Sequence, residues 1–143
     1  MNLDELKKQA KQDLPIINHE HLDQESFKNQ DIVPKWLDYR AKWKLLVTRH
    51  KGEYSRLYRQ KWEYYGGKAD VKIYVAKPFD LKVLKTDLHM YITSDEEIIL
   101  LADKISYLET ILEFIDGILK SIDRRGWDIK NAQDWKRFEA GMI

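Results

Sequence analysis

The sequence predicts a mainly α-helical single domain of long helices, with a small β-hairpin or irregular insertion, that self-associates through a heptad-patterned helix. Charged residues form 34% of the 143 residues, and the chain has only three prolines and six glycines, a composition typical of long helices. The length suits one domain with its own core and is short for two. We expect residues 1–68 to form a basic helical part, residues 69–92 a connection, and residues 93–143 a second helical part.

The N-terminal residues have the spacing of a short amphipathic helix. Apolar side chains recur every three or four positions, at Leu3, Leu6, Ala10 and Leu14. Pro15 cannot continue a helix, so this helix should stop before it. Residues 15–33 show no strong period and are left without an assignment.

A long helix is predicted to begin at Pro34, because proline suits the first turn of a helix. The apolar side chains that follow fall within a limited arc at 100° per residue, and most of them are aromatic. They are Trp36, Tyr39, Trp43, Leu46, Val47, Tyr54, Leu57, Tyr58 and Tyr65. Gly66 and Gly67 supply the stop, which gives a helix of about 31 residues.

The connection contains a candidate strand. Val71, Ile73 and Val75 alternate with polar or amphipathic neighbours, which is the period of a short strand, and Pro78 would end it. Residues 79–92 could pair back as a hairpin, although their apolar residues do not alternate cleanly. A β-hairpin and an irregular insertion therefore both stay open.

The second long helix carries the strongest structural pattern in the chain. Thr93 and Ser94 precede Glu96 and Glu97 in two overlapping capping boxes, which predict its start, and Gly126 predicts its end. Apolar residues between these limits alternate three and four positions apart, as in a coiled coil. This heptad seam consists of Ile98, Leu101, Ile105, Leu108, Leu112, Ile115, Leu119 and Ile122.

Two interpretations of the heptad seam are possible. Further apolar residues widen it to roughly half the circumference of the helix, more than one partner helix covers. They are Leu100, Tyr107, Ile111, Phe114 and Ile118. The face could be the core of one protomer or a surface through which copies associate, and we favour self-association. After Gly126, a separate short helix capped by Asp128 or Asn131 is expected to end at Gly141.

Charge is distributed unevenly along the chain. Residues 35–68 contain ten Lys or Arg against three Asp or Glu, with eight of the 17 aromatic residues, whereas residues 87–119 contain eight acids and one lysine. Basic side chains neutralise phosphate and aromatic rings stack on unpaired bases, so the combination favours a single-stranded nucleic acid as ligand. The alternative is a solvated basic face over a buried aromatic stripe.

The candidate DNA contacts come from this basic segment. One group lies seven residues apart and forms a cationic ridge: Lys35, Lys42, Arg49 and Arg56. A second group lies around the end of the helix: Arg59, Lys61, Trp62, Tyr64, Tyr65 and Lys68. Lys61 projects within the aromatic arc rather than away from it, and a buried lysine there would need a partner.

Other chemistries find little support in the sequence. There are no cysteines, so neither disulfides nor thiolate metal sites can form. The Gly67–Lys68 pair lacks the flanking residues of a phosphate loop, and His19 and His21 lack a third metal ligand at helical spacing. No nucleophile stands with a base, and we expect no enzymatic activity, cofactor or metal. No apolar run approaches the roughly 20 residues of a membrane-spanning helix, so an untargeted intracellular protein without a membrane partner is expected.

Three groups of residues carry a family resemblance. They are Lys35-Trp36-Leu37; Arg59-Gln60-Lys61-Trp62-Glu63-Tyr64-Tyr65 followed by glycine; and a block of Arg125-Gly126, Ile129-Lys130, Gln133-Asp134, Arg137 and Phe138-Glu139-Ala140-Gly141. On these residues, and over most of its length, the chain resembles the UvsY family, the recombination mediators of T-even-like bacteriophages. The last block is the most specific. Residues 68–94 are poorly matched, so the hairpin gains no support.

The resemblance implies a non-enzymatic protein that forms ring-like homo-oligomers, hexameric or heptameric, through its C-terminal part. It implies binding of single-stranded DNA and loading of a RecA-like recombinase onto DNA coated by a single-strand-binding protein. Such a protein would act in phage recombination, repair and replication, in the cytoplasm of the infected bacterial host. Arg59 and Lys61 fall on the family's basic DNA-binding positions, with Arg59 in place of a lysine, which keeps the charge but alters the hydrogen-bond geometry.

A different class of function is also compatible with the sequence. The chain could be an oligomeric coiled-coil adaptor that binds RNA or protein and has no role in recombinase loading. In that case the aromatic stripe is buried and the charges only keep the protein in solution.

Overall fold

The computed structural model describes residues 1–142, and this part of the chain contains five α-helices and no β-strand. The helices are α1 (Leu3–Asp13), α2 (Leu22–Tyr65), α3 (Val71–Ala76), α4 (Leu88–Thr93) and α5 (Glu96–Glu139). Two compact units are present: Met1–Lys44 together with the residues from Thr110 onward, and Leu45–Glu109. The prediction of a mainly α-helical protein is confirmed.

The N-terminal helix α1 forms where the sequence predicts it. The Asn2 side chain accepts a hydrogen bond from the Glu5 N–H, and the Glu5 carboxylate accepts one from the Asn2 N–H, each at 2.9 Å. This reciprocal pair is a capping box, which satisfies backbone donors at the start of the helix. Leu6 and Ala10 are buried, and the helix ends before Pro15 as expected.

The long helix α2 begins at Leu22, well before the predicted start at Pro34, so that prediction is wrong. Leu22, Ile32 and Trp36 are all buried and lie on one side of the helix at 100° per residue. Glu25 is buried on the same side, and this polar residue hid the period from the sequence analysis. Pro34 removes one backbone hydrogen bond, but the helix continues through it because the buried face extends on both sides.

In the first unit, the buried side chain of Arg125 joins α5 to the preceding segments. Its Nε donates to the Leu14 carbonyl at 3.1 Å, and Nη1 donates to the Glu25 carbonyl at 2.7 Å and the Asn29 side-chain oxygen at 2.6 Å. Nη2 pairs with the Glu25 carboxylate, which is fully buried. A hydrogen bond from Lys28, and to a smaller extent the Arg125 charge, hold the pKa of Glu25 below its ordinary value despite the burial.

The predicted strand at Val71, Ile73 and Val75 is wrong, because these residues form the short helix α3. Asp70 caps this helix by accepting a hydrogen bond at 3.0 Å from the backbone N–H two residues later. All three apolar residues are exposed, so their alternation does not mark a buried sheet face. Residues 77–87 are not helical, which agrees with the irregular insertion and not with the hairpin.

The core of the second unit forms between α4 and the start of α5. Leu88, Ile92 and Ile98 are its buried members. Partly buried side chains from α2 and from the irregular segment surround them: Tyr54, Leu57, Tyr58, Tyr65 and Val83. The residues after the predicted hairpin therefore contribute to the core as a helix.

The start of α5 lies close to the predicted position but uses a different cap. The Asp95 side chain accepts a hydrogen bond from the Glu97 N–H at 2.9 Å. The hydroxyls of Thr93 and Ser94 instead donate back to carbonyls of α4, so the two predicted capping boxes are wrong. Asp95 takes the capping role because Ser94 already serves as the last residue of α4.

The other end of α5 also differs from the prediction. The helix continues without a break through Gly126, so the predicted stop there and the separate helix capped by Asp128 or Asn131 are wrong. Arg125 and Ile129 are both buried, and their spacing of four keeps them on one helix face, which favours continuation. The final residues before Gly141 complete the helix, and the predicted end near this glycine is confirmed.

Candidate nucleic-acid interface

The candidate site lies where α2 ends, in the second unit. Gly67 adopts the left-handed conformation with φ +74°. The Lys68 N–H donates to the Glu63 carbonyl at 2.8 Å, and the Gly67 N–H donates to the Tyr64 carbonyl at 3.3 Å, the pattern of a Schellman helix end. The predicted glycine stop is confirmed, and the turn places the Lys68 side chain back over Trp62 on the last turn of the helix.

Arg59, Trp62 and Lys68 form an exposed cationic and aromatic surface, called here the Arg59–Trp62–Lys68 surface. The Arg59 side chain is 82% exposed, and its Nε lies 3.2 Å from the Glu63 carboxylate. Trp62 is 37% exposed, and Lys68 Nζ lies 4.9 Å from the centre of its ring. An exposed ion pair is weak, so Arg59 can exchange Glu63 for a phosphate.

Lys61 lies in a different environment from these three residues. It is only 8% exposed, and its Nζ lies 3.3 Å from a carboxylate oxygen of Asp95 and 3.3 Å from one of Glu97. The structure thus supplies the partner that a buried lysine needs.

The charge on Asp95 is set by its neighbours. The Tyr65 hydroxyl donates a hydrogen bond to Asp95 Oδ2 at 2.6 Å. Burial by itself raises the pKa of Asp95, but hydrogen bonds from Tyr65 and Lys61 and the lysine charge hold it below its usual value. Burial, the hydrogen bond to Asp95 and the carboxylate charge raise the pKa of Tyr65 above its ordinary value. Near neutral pH, Asp95 is therefore ionised and Tyr65 neutral.

Tyr64 and Tyr65, both predicted DNA contacts, belong to an aromatic cluster. The buried Tyr64 stacks on Tyr74 with ring centres 5.5 Å apart, and its hydroxyl donates to the Lys77 carbonyl at 3.0 Å. Tyr65 packs edge-on against Phe79, with ring centres 5.0 Å apart. Within the protomer these rings support the turn. Sequence analysis missed the cluster because Tyr74 and Phe79 lie in the segment without a clear period.

The four cations of the predicted ridge differ in their surroundings. In the first unit, Lys35 Nζ lies 2.7 Å from the Asp13 carboxylate of α1, and Lys42 is exposed. In the second unit, Arg49 and Arg56 are exposed. The residues of the ridge that stay accessible in the protomer are therefore Lys42, Arg49 and Arg56.

Other basic residues of α2 pair with the acidic residues of α5. In the first unit, Arg40 Nε lies 2.6 Å from Asp116. In the second unit, Lys51 Nζ lies 2.8 Å from Glu109, and Lys61 pairs as described above. The uneven charge distribution of the sequence therefore reflects, in part, ion pairs between the two long helices.

Most of the heptad seam is buried inside the protomer. Five members are buried: Ile98, Ile105, Leu108, Ile115 and Ile122. The other three are partly exposed: Leu101, Leu112 and Leu119. The burial of the five agrees with the core interpretation, whereas self-association through the seam stays a prediction. Leu100, beside the seam, is 67% exposed.

Two further searches of residues 1–142 gave negative results. No group of three or more His, Cys, Asp or Glu side chains is arranged to hold a metal ion. None of the helices in this range combines the length and the apolar character needed to cross a membrane.

The fold and the site define the class: an all-helical protein that presents cations and an accessible indole ring at a helix end, as binding proteins for single-stranded nucleic acid do. Comparison with known proteins gives the family. Residues 9–142 match the family described as "Recombination, repair and ssDNA binding protein UvsY". The chain belongs to this family, whose members are binding proteins of recombination and repair.

Individual relatives agree with this assignment. The chain is 27% identical over 141 residues to the recombination protein uvsY of Enterobacteria phage T4, and the match covers 99% of both chains. A crystal structure of the bacteriophage T4 recombination mediator protein UvsY superposes with a TM-score of 0.86 at 26% identity, covering 98% of each chain. A second crystal form of the T4 protein gives a TM-score of 0.84 over 94% of this chain and 98% of that one, at 24% identity. The family resemblance stated from the sequence is confirmed.

Proposed function

We propose that this protein is a recombination mediator: it binds single-stranded DNA and promotes loading of a RecA-like recombinase onto DNA coated by a single-strand-binding protein. It does so in the cytoplasm of the infected bacterial host. The observation that carries the proposal is the Arg59–Trp62–Lys68 surface at the end of α2. The description of the T4 relative as a recombination mediator supports the loading role.

The proposed contacts follow from the chemistry of the exposed side chains. Arg59 and Lys68 neutralise phosphates and release their condensed counterions. Trp62 stacks on an unpaired base, which contributes about 1–3 kcal/mol and needs no particular sequence. Arg49 and Arg56 extend the phosphate contacts along α2.

Assembly would multiply these weak contacts. We infer that copies associate through the face of α5 that carries Leu100 and the partly exposed seam residue Leu101, and form a hexameric or heptameric ring. A single strand crossing several copies gains avidity, because each later contact is intramolecular. Bending the strand around such a ring would loosen a competing single-strand-binding protein and expose DNA to the recombinase.

The binding role is tested by titrating salt. The wild-type protein should bind an oligothymidylate more tightly than a duplex of equal length, and Arg59→Ala should lower the slope of log K against log salt by about 0.7. Lys104→Ala is the control, because this exposed lysine lies among the acids of α5 and should leave the slope unchanged. Equal affinity for duplex and single strand, or preference for RNA or for protein alone, would favour the adaptor alternative.

The same titration separates stacking from charge. Trp62→Ala should weaken binding to single strands by about 1–3 kcal/mol for each protomer that is engaged, because a base loses its stacking surface. The salt slope should stay at the wild-type value, since no phosphate contact is lost. A change in slope without a loss of affinity would contradict the stacking role.

The loading role needs an assay with the recombinase. On DNA already coated by the single-strand-binding protein, the wild-type protein should shorten the lag before the recombinase hydrolyses ATP. The Arg59→Ala and Trp62→Ala double variant should leave the lag as long as it is without mediator. A protein that binds single strands yet never shortens the lag would contradict the loading role while leaving strand binding intact.

A further inference from the structure

We propose that Lys61 is a positioning residue for strand binding, which fixes the last turn of α2 against the start of α5 and does not itself contact phosphate. The inference rests on the proposed function, and it separates the roles of the two basic residues, Arg59 and Lys61, that share one motif.

The helix geometry places the two side chains on different faces. Residues two apart on an α-helix are separated by about 200° around its axis, since each residue turns the helix by about 100°. The burial agrees with this geometry, because Arg59 is almost fully exposed and Lys61 is almost fully buried. One strand that lies along the face of Arg59 and Trp62 therefore does not reach Lys61.

The partners of Lys61 also disfavour a phosphate. Its ammonium group lies between the carboxylates of Asp95 and Glu97, which repel a polyanion. The space next to it is a cavity of about 420 Å³ that Lys61 and Glu97 both line. A phosphate entering this cavity would meet the Glu97 carboxylate and would have to compete with it for the lysine.

The ion pair instead connects two helix ends. Asp95 accepts hydrogen bonds from the Tyr65 hydroxyl and from the Glu97 N–H, so it holds both the last residue of α2 and the first turn of α5. Lys61 supplies the positive charge that keeps this carboxylate ionised in a buried position. The turn of α2 that is fixed in this way carries Trp62 on its other side and leads into the glycine turn that sets Lys68 over the indole ring.

Four variants of the full chain test the inference against an oligothymidylate in a salt titration. Lys61→Met removes the charge and keeps the aliphatic stem. Lys61→Met with Asp95→Asn also removes the buried carboxylate charge but retains an oxygen that accepts hydrogen bonds. Lys61→Met with Glu96→Gln restores the same net charge at an exposed site outside this network. Arg59→Ala is the reference for the loss of a phosphate contact.

The positioning role predicts a particular pattern. Lys61→Met should lower the thermal unfolding midpoint and weaken strand binding several-fold, with the salt slope of the wild type. Adding Asp95→Asn should recover most of the midpoint and of the affinity, whereas adding Glu96→Gln should recover neither. Arg59→Ala should lower the slope by about 0.7 and leave the midpoint unchanged.

The opposite pattern would overturn the inference. A phosphate contact at Lys61 predicts a reduced slope, an unchanged midpoint and no recovery with Asp95→Asn. Should Lys61→Met fail to fold, Asp95→Asn alone decides, because a phosphate-binding Lys61 gains affinity when it is released and a positioning Lys61 does not. A wild-type protein without preference for single strands, or an Arg59→Ala variant without a slope change, would instead contradict the proposed function.

Discussion

Replacement of Leu100 by glutamate should convert the assembly into monomers and weaken binding of single-stranded DNA by about 10²- to 10⁴-fold, because the avidity of linked sites is lost. Leu100 is 67% exposed in the protomer, so the substitution leaves the core intact and places a charge in the proposed contact between copies. Sedimentation velocity measures the mass of the assembly, and a strand-binding titration at the same protein concentration measures the affinity.

Leu84→Glu is the matched control for this experiment. Leu84 is 69% exposed and lies in the irregular segment between α3 and α4, outside α5. This variant should keep the mass and the affinity of the wild-type protein. An intact assembly in Leu100→Glu, or a monomer in Leu84→Glu, would place the contact between copies elsewhere. The buried seam residue Ile115 is a poor choice for this test, because a change there disrupts the protomer.

Arg125→Met should lower the free energy of unfolding by about 3–5 kcal/mol, because it leaves the Glu25 carboxylate buried without its cation. The guanidinium group also satisfies the carbonyls of Leu14 and Glu25 and the side chain of Asn29, which lose their donor. Chemical denaturation measures the free energy, and the thermal midpoint should fall by about 2–4 °C for each kcal/mol.

Two further variants separate the buried charge from a general effect of substitution. Arg124→Met removes an exposed cation at the neighbouring position and should change the free energy by less than about 0.5 kcal/mol. Glu25→Gln combined with Arg125→Met removes the uncompensated charge and should recover part of the loss. Equal stability of the Arg124 and Arg125 variants would contradict the role of the buried pair.

The sequence predicted those features of the fold that local chemistry determines. The end of α2 at Gly67 and the first turn of α5 near Glu96 depend on a left-handed glycine and on acidic capping residues, both visible in the sequence. The start of α2 and the continuity of α5 through Gly126 depend on tertiary contacts of Glu25 and Arg125. A buried ion pair between residues 100 positions apart leaves no periodic signal in either segment.

The strand prediction failed for a related reason. Alternation at Val71, Ile73 and Val75 has meaning only if one side of the segment is buried, and all three side chains are exposed. The local signal that mattered was Asp70, a helix-capping residue directly before them.

The candidate site was predictable in composition and not in detail. The sequence identified Arg59, Trp62 and Lys68 together, and the structure brings them to one exposed surface. It did not separate Trp62 from Tyr64, because their different exposure depends on the later residues that pack against Tyr64. Their roles in DNA binding stay predictions.

The ion pairs between α2 and α5 have a consequence for how copies share one strand. Each copy carries a formal net charge of only +1, since acids of α5 offset the inward cations of α2. Like-charged molecules that crowd onto a polymer normally repel one another, and that repulsion limits how densely they coat it. A nearly neutral copy with a positive rim avoids this limit, so neighbours can sit shoulder to shoulder along a polyanion.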